Sequence, residues 1–103
     1  MNFFEQVFDV VKKIPEGKVS TYGQVAKAIG ARDVRKVGWA LHANKDSSMV
    51  PCHRVVNKDG RLAPGYAFGG PNEQKNRLMA EGVKFVDPEH VDLISSGFDF
   101  NVQ

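Results

Sequence analysis

The residues best suited to covalent chemistry stand together in the run Pro51-Cys52-His53-Arg54. A cysteine becomes a nucleophile when basic or cationic neighbours favour its thiolate. His53 can accept a proton, and a carboxylate from elsewhere in the fold could orient its imidazole. Residues adjacent in sequence need not be partners in space, so this run is also compatible with a buried, inert cysteine. Both alternatives stay open at this point.

Other kinds of site find little support in the composition. Cys52 is the single cysteine, so no internal disulfide can form. His42, His53 and His90 have no metal-ligand spacing with each other or with Cys52, and we expect no structural metal. The length of 103 residues predicts a single domain over residues 1–103.

The N-terminus and the hydropathy pattern indicate a cytoplasmic protein. No apolar stretch approaches the roughly 20 residues that a membrane-spanning helix needs. The first residues lack the basic start and the long apolar run of a signal peptide.

Charge is unevenly distributed although the net charge is only +2. Five basic residues and one acid lie between Lys18 and Lys36, whereas residues 85–103 contain four acids and no Lys or Arg. This distribution favours one surface for an anionic partner, with a solvated basic helix pair as the alternative.

The basic segment has the pattern of two short helices after a first, amphipathic one. Asn2 is a candidate N-cap for a helix that ends before Pro15. Thr21 and Gln24 form a capping box, Gly30 ends that second helix, and Asp33 caps a third. Two short helices joined by a tight turn predict a helix-turn-helix, with a plain packing hairpin as the alternative.

The second half of the chain predicts shorter elements. Val55-Val56 indicates a strand before an Asp-Gly turn, and residues 61–71 form a surface loop rich in Gly and Pro. A fourth helix should begin near Pro71 and end at Glu81-Gly82. Residues 83–103 predict short strands or an ordered tail.

Together these segments resemble one family. The run Val50–Val56 resembles the PCHRV active-site motif of the O6-alkylguanine-DNA alkyltransferases, and Ile14–Ala26 is similar to their IPxGxVxTYGxxA segment. The resemblance covers residues 3 to about 85. It also includes a recognition-helix motif, an asparagine eight residues before the cysteine, a pocket loop and a late glutamate: Val34–Gly38, Asn44, Gly65-Tyr66, Gly69-Gly70 and Glu81-Gly82.

The resemblance implies a mainly α fold with short strands, a winged-helix-like helix-turn-helix domain of the alkyltransferase C-terminal type. Its partner would be double-stranded DNA containing O6-alkylguanine, bound in the minor groove by a monomer. Tyr22 would rotate a phosphate and Arg35 would replace the flipped-out base. The DNA-binding residues so implied are Tyr22, Arg35, Lys36, Gly38, Asn44 and Arg54.

The resemblance also implies the chemistry. Cys52 would attack the alkyl carbon on O6, activated by His53 through a water and by Glu81. The thioether would end the single turnover, and no cofactor is needed for a direct displacement. The substrate pocket would be formed by Val50, Pro51, Val55, Tyr66 and Gly69.

Several departures indicate an alternative function. The resemblance starts at the family's C-terminal domain, the pocket loop has one extra residue, and Trp39 stands where a small or polar residue is usual. Residues 73–78 resemble the alkyltransferase-like proteins, which bind the lesion without repairing it and pass it to nucleotide excision repair proteins. Most of those proteins have Trp or Ala in place of Cys52. A helix-turn-helix regulator is disfavoured because it gives Cys52 and His53 no role.

Overall fold

The computed structural model describes residues 1–100, which form helices and two small pairs of strands. None of the helices in this range is long and apolar enough to cross a membrane. The helices are α1 (Phe3–Val11), α2 (Tyr22–Ala28), α3 (Arg35–His42), α4 (Gly70–Ala80) and α5 (Leu93–Ser96), with a 3-10 turn at Cys52–Arg54. The strands are β1 (Ser20–Thr21), β2 (Val55–Val56), β3 (Phe85–Asp87) and β4 (His90–Val91).

Helix α1 begins at the predicted cap. The Glu5 amide donates to Asn2 Oδ1 at 2.8 Å, and the Glu5 carboxylate accepts from the Asn2 amide. The helix ends at Val11, because the chain tightens into 3-10-type bonds before Pro15, whose ring disfavours helical geometry in the residue before it. Ile14 therefore lies beyond the helix, but it is fully buried.

The helix-turn-helix consists of α2 and α3. Thr21 Oγ1 accepts from the Gln24 amide at 3.1 Å, and Gln24 Oε1 accepts from the Thr21 amide, which confirms the capping box. Gly30 follows α2 with φ +72°. Asp33 Oδ1 accepts from the Arg35 amide at 3.1 Å, and α3 begins only at Arg35 because the preceding turn closes with i to i+3 bonds.

The short parallel pair β1–β2 joins the helix-turn-helix to the Cys52 turn. Ser20 pairs with Val55 and Thr21 with Val56. The strand at Val55–Val56 was predicted, whereas β1 is too short to leave a hydropathy pattern. This pairing sets the start of α2 beside the residues that follow Cys52.

Two buried clusters form the core. The first lies among α1, α2 and α3 and includes Cys52 and Tyr66, so the thiol is part of the main core. The second lies beneath α4 and β4 and contains Val19, Val56, Leu62, Leu78, Val83 and Val91.

The tail has both strands and a helix. Strands β3 and β4 pair antiparallel, as the apolar spacing allows. Of the two alternatives predicted, short strands or an ordered tail, residues Leu93–Ser96 adopt neither a strand nor an irregular tail but a helical turn, because the Asp92 side chain accepts from the amides of Ile94 and Ser95. Ile94 is consequently 99% exposed. The last part of the predicted tail, residues 101–103, lies outside the described residues.

Gly60 should be the glycine least tolerant of substitution. Its φ is +90°, and an added Cβ would lie 2.5 Å from the Val91 carbonyl oxygen. We expect Gly60→Ala to lower the free energy of unfolding by about 2–4 kcal/mol in a urea titration. Gly30→Ala is the control: φ is +72° but nothing lies within 4 Å of its added Cβ, so a loss of about 1 kcal/mol is expected. Equal losses would contradict the steric explanation.

Candidate nucleic-acid interface and reactive-cysteine site

Cys52 sits at the start of a tight turn that the chain holds by local hydrogen bonds. The Cys52 amide donates to the Val50 carbonyl at 2.8 Å, and the Arg54 amide donates to the Pro51 carbonyl at 3.0 Å. Strand β2 follows directly and anchors the turn to β1. The thiol is thereby fixed at a core boundary and not on a free loop.

The Cys52 thiol is buried and has one polar neighbour. Cys52 is only 5% exposed. Asn44 Nδ2 lies 3.7 Å from Cys52 Sγ and also donates to the Val50 carbonyl at 3.0 Å. Burial raises the pKa of Cys52, although the Asn44 hydrogen bond and the nearby Arg77 charge oppose that rise. The thiol therefore needs a base before it can attack as a thiolate.

A carboxylate joins the two residues that follow the cysteine. Glu81 Oε2 lies 2.9 Å from His53 Nε2 and 2.7 Å from Arg54 Nη2, while Arg54 Nε donates to Glu81 Oε1 at 3.0 Å. The third nitrogen of the guanidinium, Nη1, donates to the Ile14 carbonyl at 2.9 Å. Burial would raise the pKa of Glu81, but hydrogen bonds from Arg54 and His53 outweigh it and hold that pKa below its ordinary value.

These contacts decide which nitrogen of His53 is available. An ionised Glu81 only accepts, so Nε2 carries the proton and Nδ1 keeps its lone pair. Within residues 1–100, His53 Nδ1 is the buried side-chain polar atom without a hydrogen-bond partner. Burial lowers the pKa of His53 below its ordinary value, despite the opposing effect of Glu81. His53 is thus a neutral imidazole with a free acceptor atom.

Gln74 is a fully buried residue that the sequence interpretation missed. Its Oε1 accepts from the Ala63 amide at 2.7 Å, and its Nε2 donates to the carbonyls of His53 and Val55 at 3.1 and 2.9 Å. It thereby ties α4 to the reactive turn and to the loop before Tyr66. Its position four residues before the buried Leu78, on the same helix face, was the available signal.

Two neighbouring cavities lie between α3 and the loop that carries Tyr66. The one beside Cys52 is about 20 Å³, which is room for about one water molecule. The other is about 310 Å³ and opens beside Arg35. Tyr22, Gly38 and Gly65 line both cavities, so the larger one is the approach to the thiol. A ligand much larger than one water reaches Cys52 only if the loop moves.

Arg77, also missed from sequence, holds that loop in place. Its Nη1 donates to Tyr66 Oη at 2.8 Å and to Ser47 Oγ at 3.0 Å, and Glu73 pairs with its Nε. The guanidinium carbon lies 5.7 Å from the Tyr66 ring centre and 5.8 Å from that of Phe68. One arginine on α4 therefore fastens the segments on both sides of the thiol.

The predicted pocket residues occupy different places. Tyr66 lines the small cavity, and its burial raises the pKa of its phenol to about 12. Val50 and Val55 lie in the core around the thiol, and Pro51 is buried beside it. Gly69 is the N-cap of α4, where φ is +123°. Its place in a pocket stays a prediction.

The predicted DNA-binding residues also lie in different places, some beside the larger cavity and some inside the protein. Tyr22, Arg35 and Gly38 line the larger cavity, and burial raises the pKa of Tyr22 to about 12. Asn44 and Arg54 point inward, where Asn44 supports the Cys52 turn and Arg54 binds Glu81. DNA contact by Asn44 and Arg54 therefore stays a prediction, because in the structure both side chains bond to groups inside the protein.

Lys36 and Arg35 leave α3 on different sides. Lys36 lines a separate groove toward α1. The exposed Arg35 side chain is folded back on Asp33, with Nε and Nη2 each 3.1 Å from a carboxylate oxygen.

Among residues 1–100, no cluster of three His, Cys, Asp or Glu side chains could hold a metal ion.

Removing the Glu81 carboxylate should lower stability in a pH-dependent way. The pKa of Glu81 and the pKa of His53 are both lower in the folded state than in the unfolded chain. Each group therefore stabilises the fold at pH values above its unfolded-state pKa, and this stabilisation is lost as the pH falls through the folded-state pKa. We expect Glu81→Gln to lower the free energy of unfolding by about 2 kcal/mol near pH 7, because buried Arg54 loses its partner. The difference from wild type should shrink below about pH 4, where Glu81 is itself neutralised.

Urea titrations at both pH values measure this effect, with Glu16→Gln, an exposed carboxylate, as the control. If the loss of unfolding free energy in Glu81→Gln did not change with pH, Glu81 would not be ionised in the folded protein.

Comparison with known proteins gives a consistent result. Residues 2–83 match the family described as 6-O-methylguanine DNA methyltransferase, DNA binding domain. A DNA base-flipping protein of Escherichia coli (strain K12) is 41% identical over 95 residues, covering 89% of this chain and 70% of that protein. A methylated-DNA–protein-cysteine methyltransferase of Methanosarcina acetivorans is 44% identical over 68 residues, covering 65% of this chain and 43% of its own length.

A solved structure extends the similarity to the fold. The S. pombe Atl1 structure, in complex with damaged DNA containing O6-carboxymethylguanine, superposes with a TM-score of 0.83 at 34% identity and covers 94% of both chains. This confirms the predicted fold class, mainly helical with short strands around a helix-turn-helix. The chain therefore belongs to the 6-O-methylguanine DNA methyltransferase DNA-binding domain family.

Proposed function

We propose that the protein binds duplex DNA at O6-alkylguanine, flips the damaged base toward Cys52, and accepts the alkyl group on Cys52 Sγ in one turnover. The observation that carries this proposal is the arrangement around the thiol. Cys52 is followed by a neutral His53 whose Nδ1 is free and whose Nε2 is held by Glu81. This is the layout of a nucleophile, a base and an orienting carboxylate.

Helix α3 supplies the approach to DNA. Arg35 and Gly38 border the 310 Å³ cavity, and nothing lies within 4 Å of the position that a Cβ would take on Gly38. A glycine at this position lets a sugar-phosphate backbone come close. Arg35 is long and exposed, so its guanidinium can leave Asp33 and take the place of an extruded base.

The flipped base must then displace the loop that closes the thiol. The base enters by way of the larger cavity, past Tyr22 and Gly65, and the segment around Tyr66 moves outward to admit it. That movement breaks the Arg77 contacts to Tyr66 and Ser47, whose free energy the binding interactions must offset. The phenols of Tyr22 and Tyr66 stay protonated near neutral pH and can donate to the guanine.

The transfer itself is a displacement at carbon. His53 Nδ1, which makes no hydrogen bond to Cys52, takes the thiol proton through one water, and the Glu81 carboxylate stabilises the imidazolium that forms. The sulfur–carbon bond forms as the carbon–O6 bond breaks, and guanine leaves as an anion that regains one proton. The thioether has no reverse path of comparable ease, so the protein acts once.

A non-enzymatic damage sensor is the second candidate. The burial of Cys52, its raised pKa and the 20 Å³ cavity favour it, because none of them suits a thiol prepared for rapid attack. The structural match to S. pombe Atl1, over 94% of both chains, favours it as well. The sensor would hold the flipped lesion beside an idle thiol and present it to nucleotide excision repair proteins.

The mass of the intact protein separates these two functions. After incubation with a duplex that contains one O6-methylguanine, we expect a single added methyl group on Cys52, located by peptide mapping. Cys52→Ala should remove the gain in mass but retain binding in a fluorescence anisotropy titration. An unchanged mass at saturating lesion duplex would overturn the transfer step and support the sensor.

Two substitutions on α3 test the flipping step. Arg35→Ala should weaken binding to lesion duplex severalfold or more, because the vacated position in the stack stays empty. Asp33→Asn should strengthen binding, since it releases Arg35 and removes a negative charge from the interface. Anisotropy titrations at matched salt measure both affinities. If the Arg35→Ala affinity equals that of wild type, Arg35 has no part in flipping.

A further inference from the structure

The guanidinium of Arg77 joins two segments that lie on either side of Cys52 in the sequence. Its Nη1 donates to Ser47 Oγ at 3.0 Å and to Tyr66 Oη at 2.8 Å, and these two residues stand before and after the cysteine. Its Nε donates to Glu73 Oε2 at 2.9 Å, one helical turn earlier on α4. Because this ion pair restrains the guanidinium, Arg77 holds both segments in defined positions.

The loop of residues 64–69, here called the Tyr66 loop, has few other polar attachments. Tyr66 makes its backbone hydrogen bonds to the residues three before it and four after it. Within the described chain, the side-chain hydrogen bond of this loop is the one from Arg77 to Tyr66. The rings of Tyr66 and Phe68 lie 5.9 Å apart, and the Arg77 guanidinium carbon lies 5.7 and 5.8 Å from their centres. Apart from ring packing, Arg77 thus attaches this loop to α4.

Closure of this loop matters because Cys52 is the single thiol of the chain and the proposed reaction uses it once. The reactivity of a thiol depends on its exposure as well as on its thiolate fraction. Cys52 is buried beside a cavity with room for about one water molecule, and Tyr66 lines that cavity. A loop that stays closed in the free protein therefore preserves the acceptor.

We infer that Arg77 is a positioning residue that clamps the Tyr66 loop over Cys52, and that this clamp withholds the thiol from small soluble electrophiles until a flipped base displaces the loop. Among the described residues, Arg77 makes no hydrogen bond to Cys52, so it acts through Tyr66 and Ser47. The displacement by a base rests on the proposed function, whereas closure in the free protein does not.

The charge of Arg77 has the opposite effect on the thiol from the clamp. The positive charge lowers the pKa of Cys52, although burial outweighs it. Loss of the charge alone would leave less thiolate and would slow the attack on an electrophile. Loss of the clamp would expose the thiol and accelerate the attack. The direction of the change therefore distinguishes a clamp from an electrostatic role.

The test is the rate at which iodoacetamide labels Cys52 in the full chain without DNA, followed by intact-protein mass spectrometry. The sulfur bonds to the carbon that carries iodine, iodide leaves, and the thiol proton passes to the buffer. Arg77→Met should raise the rate constant about tenfold or more, because hydrogen bonds from a charged group hold the closed state. Lys75→Met is the control and should leave the rate unchanged, since that lysine lies over the Phe85 ring and makes no hydrogen bond to the Tyr66 loop.

A second variant keeps both the charge and the aromatic ring. Tyr66→Phe removes one acceptor of Arg77, so it should raise the labelling rate severalfold although the charge is retained. Low urea concentrations distinguish opening of the loop from unfolding of the whole chain, because a local opening exposes little surface and responds weakly to urea. Labelling of both variants no faster than wild type would overturn the clamp. So would an acceleration that rises with urea as steeply as global unfolding.

The lesion duplex separates this inference from the proposed function. Arg77→Met should bind the lesion duplex severalfold more tightly than wild type in an anisotropy titration, because the base no longer has to break the clamp. Equal affinities would overturn the part of the inference that concerns the base. Faster labelling without methyl transfer to Cys52 would overturn the proposed transfer and support the clamp. Methyl transfer without faster labelling would overturn the clamp alone.

Discussion

The site depends on the carboxylate of Glu81, which α4 delivers to the two residues that follow Cys52. One carboxylate orients His53 and neutralises Arg54, and Arg54 in turn reaches the Ile14 carbonyl beyond α1. The end of α4, the reactive turn and the connection before β1 are therefore joined by one network. Because the network is largely removed from water, losing one partner leaves a buried charge, and the geometry of the turn would not survive unchanged.

The same burial creates a conflict between structure and chemistry. Cys52 belongs to the main core and its pKa is raised, whereas a nucleophile needs the thiolate. The fold offsets this with a free acceptor on His53, an amide from Asn44 and the nearby charge of Arg77. Binding of the base would also displace the loop that carries Tyr66, so the thiol would become accessible only when the lesion enters.

Much of this arrangement follows from local sequence rules, and the remainder depends on contacts that leave no local pattern. The capping residues Asn2 and Thr21 locate helices because their side chains bond to amides three residues ahead. Cys52 and His53 were predicted from residue type and Glu81 from motif resemblance, and the structure brings His53 and Glu81 within 2.9 Å. Gln74 and Arg77 were missed, since each acts through partners far away in sequence. The inward turn of Arg54 was missed for the same reason, whereas Asn44 bonds to Val50 and Cys52 across a polar loop whose sequence does not reveal those contacts. Leu93-Ile94 form a helical turn because Asp92 caps it. That the chain is a monomer and a single domain stays a prediction.

Transfer of the alkyl group from the lesion to Cys52 can be followed by NMR of a duplex with ¹³C in the methyl group of one O6-methylguanine. On addition of the protein, the oxygen-bound methyl signal should shift and then give way to a sulfur-bound methyl signal. An oxygen-bound signal that persists at saturating protein would rule out transfer to Cys52.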